Sequence, residues 1–300
     1  MKKILVTGSN GLLGQKLVEL IVKEKEYQLI ATARGENRLP FTEGYSYKSL
    51  DVSDKTEVDK IFEEVKPDYI IHTAAMTNVD QCESEREGCW KLNVDAVQHL
   101  ADASKKHNAF LLHLSTDFIF DGENGPYDEE AEAKPLSYYG ESKLAAEKIL
   151  LGSTGLRWSI ARTVLVYGIA HDMSRTNIIL WVKKSLEDGK NINVVNDQWR
   201  TPTLAEDLAM GCYLIIKHEA EGIFNISGSD LLTPYQMALQ TADFFQLDKS
   251  FINLATAATF TQPAKRPPKT GFVITKAREK LGYNPVSFNE GIAIVASQIK

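Results

Sequence analysis

A short apolar run, Lys3–Thr7, passes directly into Gly8-Ser9-Asn10-Gly11-Leu12-Leu13-Gly14, and from there into residues spaced as an amphipathic helix, with Leu13, Leu17, Leu20 and Ile21 on one face. A glycine triplet alone says little. Seated between a first strand and a first helix, it restricts the chain strongly. The glycines permit a tight turn, let backbone amides approach a pyrophosphate and let the helix pack closely on a sheet. Gly8, Asn10, Gly11, Leu12 and Gly14 are therefore the expected phosphate-binding residues.

The alternation continues beyond this loop. Gln28–Ala33, Tyr69–Ala74, Phe110–Ser115 and Trp158–Thr163 read as buried strands, and Trp90, Val94, Val97 and Leu100–Ala101 mark one face of an intervening helix. Tyr139–Leu151 is rich in good helix formers. This order predicts an α/β protein: a doubly wound parallel sheet (Rossmann type) over residues 1–165 that binds a dinucleotide. Gly35–Ser49 reads as a long connection. After residue 165, Pro202, Pro234, Pro263, Pro267, Pro268 and Pro285 punctuate short elements. Residues 166–300 are therefore expected to form mainly a second, smaller mixed α/β substrate lobe, with about 191–226 returning to the Rossmann domain. That lobe should pack at the carboxyl ends of the strands.

Composition limits what such a fold would bind. The 300 residues include 34 basic and 40 acidic ones, a net charge of -6 without a long single-sign block, which argues against a nucleic-acid partner. Cys82, Cys89 and Cys212 cannot build a disulfide framework and have no histidine at ligand spacing, so a reducing compartment and no metal site are expected. No stretch approaches the ~18–20 apolar residues of a membrane span. The apolar start Ile4-Leu5-Val6 stops at Thr7-Gly8, far short of a secretory signal. A cytoplasmic protein with no membrane partner is expected.

The second strand ends in Ala31-Thr32-Ala33-Arg34. A carboxylate here would bind the ribose hydroxyls of NAD, whereas a guanidinium suits a 2′-phosphate. Arg34 therefore points to NADPH, with NADH as the secondary cofactor.

Two Tyr-x-x-x-Lys pairs occur, Tyr139–Lys143 and Tyr213–Lys217, and each would share a helix face. Context separates them. Tyr213 lies among Leu214, Ile215 and Ile216, the pattern of a core-packed helix, whereas Tyr139 follows a buried strand that ends in Ser115-Thr116-Asp117. Reducing a ketone by hydride places negative charge on its oxygen, so a proton donor must stand within hydrogen-bond reach. A nearby ammonium lowers a phenol's pKa from its ordinary value of about 10. Tyr139 is thus the expected acid, and Lys143 its tuner and a holder of the nicotinamide ribose. Thr116 would bind the carbonyl oxygen, and Asn93 would anchor a relay water.

The glycine loop, Leu92-Asn93-Val94 and Tyr139–Lys143 resemble the extended short-chain dehydrogenase/reductases. Within them the chain is most similar to the dTDP-4-dehydrorhamnose reductase family. Matching stretches are Ala74-Ala75 with Val79-Asp80 and Glu83, then Ser115 through Gly122, then Pro126-Tyr127, Pro135-Leu136 and Tyr139-Gly140. Arg162-Thr163 with Val166-Tyr167-Gly168, Asn196-Asp197-Gln198 with Pro202-Thr203, and Ala264 with Arg266-Pro267 follow. The resemblance implies NADPH-dependent (in some members NADH-using) reduction of the C4 keto group of a nucleotide-diphospho-6-deoxy sugar, yielding dTDP-L-rhamnose.

The same resemblance extends the cofactor site to Asp51, Val52, Ala74 and Ala75. It also implies substrate contacts at Thr77, Val79, Thr116, Asp117, Phe118, Leu165, Arg200 and Arg266. Leu165 stands where the family commonly carries a tryptophan that packs on the sugar. Arg200 reads equally as a diphosphate contact or a surface arginine, and Arg266 as a diphosphate contact or a solvated basic turn. His72 and His113 read as core residues with a satisfied nitrogen, and His171 as a neighbour of the sugar. Phe118 after Asp117, in place of a glutamate, argues against a nucleotide-sugar dehydratase. Two rivals stay open: a reductase or epimerase of another nucleotide sugar, and a non-catalytic NADP-binding regulatory subunit resembling the beta subunit of methionine adenosyltransferase. A homodimer is compatible with each.

Overall fold

The computed structural model describes residues 1–172 and 176–299. β1 (Lys3–Thr7) leads into α1 (Leu12–Glu24), β2 (Gln28–Ala33), β3 (Tyr45–Ser49), α2 (Lys55–Val65) and β4 (Tyr69–His72). α3 (Val79–Ser84), α4 (Arg86–Trp90) and α5 (Ala96–His107) follow, then β5 (Phe110–Thr116), α6 (Tyr138–Leu151) and β6 (Arg157–Thr163). The later chain forms β7 (Val166–Tyr167), α7 (Ile178–Glu187), β8 (Ile192–Val195), β9 (Thr203–Leu204), α8 (Ala205–Lys217) and β10 (Gly222–Asn225). It closes with α9 (Pro234–Phe244), β11 (Ile252–Ala255), α10 (Thr275–Leu281) and α11 (Phe288–Gln298).

Seven parallel strands make one sheet in the order β10-β6-β5-β4-β1-β2-β3. The order reverses between β1 and β4, and ligands of such sheets bind outside the carboxyl ends at this point. Both faces are covered, which is why the central strands read as unbroken apolar runs. On β1, Ile4 and Val6 join one core with Leu17, Val18 and Ile21 of α1, while Leu5 joins another with Val58, Phe62 and Leu100. Each such side chain, fully buried, contributes about 1.5–3 kcal/mol.

The stretch read as a long connection, Gly35–Ser49, contains β3. This strand lies at the sheet edge and is only half-buried, so it has no continuous apolar run to betray it. The segment around 191–226 divides between the two lobes. Its β10 pairs with β6, and Leu208, Ala209 and Cys212 of α8 share a core with Leu17 and Ile21 of α1. Its β8 pairs instead with β11 in the carboxyl-terminal lobe. A strap from that lobe reaches the loop after β5: Trp199 bridges Lys269, and Tyr127 bridges Phe272. Among the described residues no helix is long and apolar enough to cross a membrane.

Candidate active site

The glycine loop is a cradle that side chains would fill. Gly8 adopts φ +71°, and a Cβ there would lie 2.7 Å from the Ala74 amide nitrogen; one on Gly14 would lie 2.2 Å from the Gly8 carbonyl oxygen. Gly11 caps α1 with no side chain on the helix's first amides, so their donors and the positive end of the dipole are available to an anion. The Ser9 hydroxyl beside them is buried without a partner. Asn10 ties this loop to the one after β2: its Nδ2 donates to the Glu36 carbonyl at 2.8 Å, and its Oδ1 accepts from the Arg38 amide at 3.0 Å.

Arg34 and Arg38 are exposed and line a cleft of about 670 Å³ with Glu36, Asn37, His171 and Asp172. Arg38 Nε lies 3.8 Å from Asp172 Oδ2. Asp51 accepts from the Ser53 amide and hydroxyl at 2.9 and 2.7 Å. Val52 is buried, with its carbonyl 3.4 Å from His99 Nδ1. Ala74 and Ala75, half-buried, follow β4. These donors, cations and the Gly8–Gly14 cradle fit a dinucleotide with a 2′-phosphate. The backbone of His171 is held by the Gln15 side chain of α1.

The catalytic candidates gather where β5 ends and α6 begins. Thr116 Oγ1 caps the turn that follows, accepting from the Phe118 amide at 3.3 Å, and donates to Asp117 Oδ1 at 3.1 Å. Ser137 caps α6, which presents Tyr139 and Lys143 on one buried face, 8% and 3% exposed. Burial pushes the Tyr139 phenol above its ordinary pKa, while a hydrogen bond with Thr116 pulls the other way. Burial therefore outweighs the lowering expected from Lys143, and it acts on the lysine as well. It brings the ammonium from 10.5 to about 8, against the opposing pull of Glu147 and Cys89. Lys143 Nζ lies 3.2 Å from His113 Nε2. Tyr213 and Lys217 both bind Glu26 instead, at 2.7 and 3.0 Å.

Asn93 sits in a π-helical turn, Lys91–Asp95, between α4 and α5, a distortion often found at functional sites. Its Oδ1 accepts from the Met76 amide at 2.8 Å, and its Nδ2 donates to the Met76 carbonyl and Ser142 Oγ at 3.0 and 3.1 Å. The carboxamide thus ties α6 to the loop after β4, and Oδ1 keeps a second lone pair beyond its bond to Met76.

Of the residues tied to substrate by resemblance, Phe118 packs edge-on against Tyr139 with ring centroids 5.8 Å apart. Val79 joins the same cluster with Cys82 and Cys89, which are buried and not joined in a disulfide. Thr77 is exposed just before α3. Asp117 is buried, bonded to Thr270, and its Oδ2 lies 3.6 Å from Arg200 Nε. Burial raises its pKa against the pull of Arg200, Thr270 and Thr116. Arg200 is no surface arginine. It is 6% exposed and donates to the carbonyls of Trp199, Pro267 and Pro268. Arg266 is not a free basic turn either, since its Nη2 and Nη1 donate to Asp80 at 2.8 and 3.2 Å. Leu165 is 42% exposed at the turn between β6 and β7, with φ +38°.

The family described as RmlD substrate binding domain matches this chain over residues 1–300. The chain belongs to that family. A dTDP-4-dehydrorhamnose reductase of Aggregatibacter actinomycetemcomitans is 32% identical to it, over 97% of each chain. The methionine adenosyltransferase 2 subunit beta of Pongo abelii is 30% identical, over 85% of this chain and 75% of that protein. Among solved structures, the dTDP-4-dehydrorhamnose reductase of Bacillus anthracis in complex with NADP superposes with a TM-score of 0.86, at 26% identity over 100% of both chains. Sequence reasoning did not bring His113 to Lys143 in this RmlD-family chain. His113 reads as core, and only the fold joins the two.

Proposed function

We propose that this RmlD-family chain is an NADPH-dependent reductase of the C4 keto group of a nucleotide-diphospho-6-deoxy sugar, converting dTDP-4-dehydrorhamnose to dTDP-L-rhamnose. The observation that carries this reading is the convergence of the Thr116 hydroxyl and the Tyr139 phenol at the end of β5, with Lys143 on the same face of α6. NADPH supplies the hydride when bound. The chain's own groups handle the proton and the oxygen. Burial keeps Tyr139 protonated until it donates to the developing C4 oxyanion, and the Thr116 hydroxyl turns its one proton from Asp117 Oδ1 to that oxygen as a second hydrogen bond. The Lys143 ammonium then stabilises the resulting phenolate until solvent restores its proton.

Purified protein offered NADPH with a panel of 4-keto nucleotide sugars tests the reading. Loss of NADPH absorbance should be fastest with dTDP-4-dehydrorhamnose. A faster UDP or GDP sugar would keep the chemistry and change the substrate; no turnover of any sugar would overturn the enzyme.

The 30% identity to a methionine adenosyltransferase beta subunit favours a second reading, a regulatory NADP-binding subunit. Under it the chain binds a methionine adenosyltransferase catalytic subunit in a pull-down and oxidises no NADPH.

A further inference from the structure

Lys143 is buried on α6, and among the described residues the side chain within hydrogen-bond reach of its Nζ is His113, at 3.2 Å. Its neighbouring carboxylate is already committed: Glu147 takes both Nε and Nη2 of Arg162, at 3.0 and 2.8 Å. His113 stands on β5, 1% exposed, and its ring stacks on His72 of β4 at 5.5 Å and 24°. His72 is anchored in turn, with Nδ1 2.7 Å from Thr7 Oγ1 at the end of β1. A line of polar side chains therefore runs across three neighbouring strands, from the foot of the glycine loop to Lys143. It lies inside the sheet's helical covering, with Thr7, His72 and His113 all buried. The outward nitrogens, His72 Nε2 and His113 Nδ1, are buried without partners, a cost that a purely structural role does not explain.

We propose that His113 is a positioning residue for Lys143: its Nε2 accepts a hydrogen bond from Nζ and aims the ammonium along the α6 face that carries Tyr139. A neutral imidazole can accept through Nε2 only with its proton on Nδ1. Burial, Lys143 and His72 all hold His113 well below its ordinary pKa, so the ring stays in the accepting state. The groups facing Nζ are His113 with His72 behind it, Glu147 and the Cys89 thiol. Glu147 and Cys89 favour the charged amine through their charge, and His113 adds the hydrogen-bond acceptor within reach of Nζ. An ammonium already brought to about 8 by burial would otherwise lose its proton within the working pH range.

The kinetic arm of the test rests on the reductase reading; the binding arm does not. His113→Gln keeps an acceptor near the position of Nε2. His113→Asn keeps a buried amide near Nδ1 but cannot reach Nζ, and His113→Leu removes both. NADPH affinity of the purified chain is measured from pH 6 to 10 by fluorescence titration, with kcat and KM for the sugar nucleotide beside it. The basic limb of both profiles should move about one pH unit towards acid in the Asn and Leu variants, lowering kcat roughly fivefold at pH 8, while Gln keeps the limb of the unmutated protein. KM for the sugar nucleotide should change less than about twofold, because the histidine acts through the lysine. If no sugar turns over, the functional reading fails while the binding profiles still decide this inference. Profiles in which Asn and Leu keep the original limb, or move it together with Gln, would overturn it.

Discussion

Arg162 closes a bidentate ion pair on Glu147 one helical turn beyond Lys143, with Nε–Oε1 at 3.0 Å and Nη2–Oε2 at 2.8 Å. The two side chains are 5% and 0% exposed, and Arg162 Nη1 also donates to the Glu129 carbonyl at 3.1 Å. The pair fastens α6 to β6, so the helix bearing Tyr139 and Lys143 is held by a charge contact as well as by apolar packing.

Breaking this pair from one side should be costly, because the remaining charge stays buried without its partner. Glu147→Gln or Arg162→Met should each lower the unfolding free energy by ~3–5 kcal/mol in urea titrations. The double variant Arg162→Met/Glu147→Met should recover more than half of that loss. Single variants that cost less than about 1 kcal/mol would mean the pair is dispensable to the fold.

Lys143 itself should cost the folded protein stability. Its folded pKa of about 8 lies below the 10.5 of an unperturbed lysine. Between these values the unfolded chain binds more protons at this position, so its contribution to stability rises with pH across that window. Below pH 8 the full penalty stands. Lys143→Met should therefore abolish turnover yet raise the unfolding free energy at pH 7 by about 1–2 kcal/mol, the burial penalty less the lost hydrogen bond to His113. The gain should shrink as pH rises towards 10.5. A loss of stability at pH 7 that does not vary with pH would contradict this.

Arg34 should set cofactor preference. A charge-assisted contact to a 2′-phosphate contributes on the order of 1.5–3 kcal/mol, so NADPH should bind at least about tenfold tighter than NADH. Arg34→Ala should erase most of that difference without weakening NADH. Equal affinities in the unmutated protein, measured by titration, would remove Arg34 from the phosphate site.

Much of this architecture was legible in the chain. Lys3–Thr7 and Gln28–Ala33 coincide with β1 and β2 because fully buried parallel strands show as unbroken apolar runs. β3, at the sheet edge, and the four-residue β10 were not, since an edge strand buries one face and a short strand leaves too little periodicity. The two Tyr-x-x-x-Lys pairs parted on context, and Tyr213 lies in the core of α8 with its hydroxyl on Glu26. Burial of basic residues was harder to see. Nothing local marks Arg200 as the guanidinium that backbone carbonyls 67 and 68 residues away enclose. His113 was hidden for the same reason, because its partner lies 30 residues away on a helix that only the parallel crossover returns to β5.

The central claim is that Tyr139 is the acid of a ketone reduction, and one comparison tests it most directly. NADPH oxidation with dTDP-4-dehydrorhamnose is followed in the unmutated protein, in Tyr139→Phe and in Tyr213→Phe. Losing only the buried hydroxyl of Tyr139 should lower kcat by ~10²–10⁴ while NADPH affinity stays within about threefold, and folded Tyr213→Phe should keep nearly full turnover. A Tyr139→Phe protein that reduces the sugar at the unmutated rate would contradict the account.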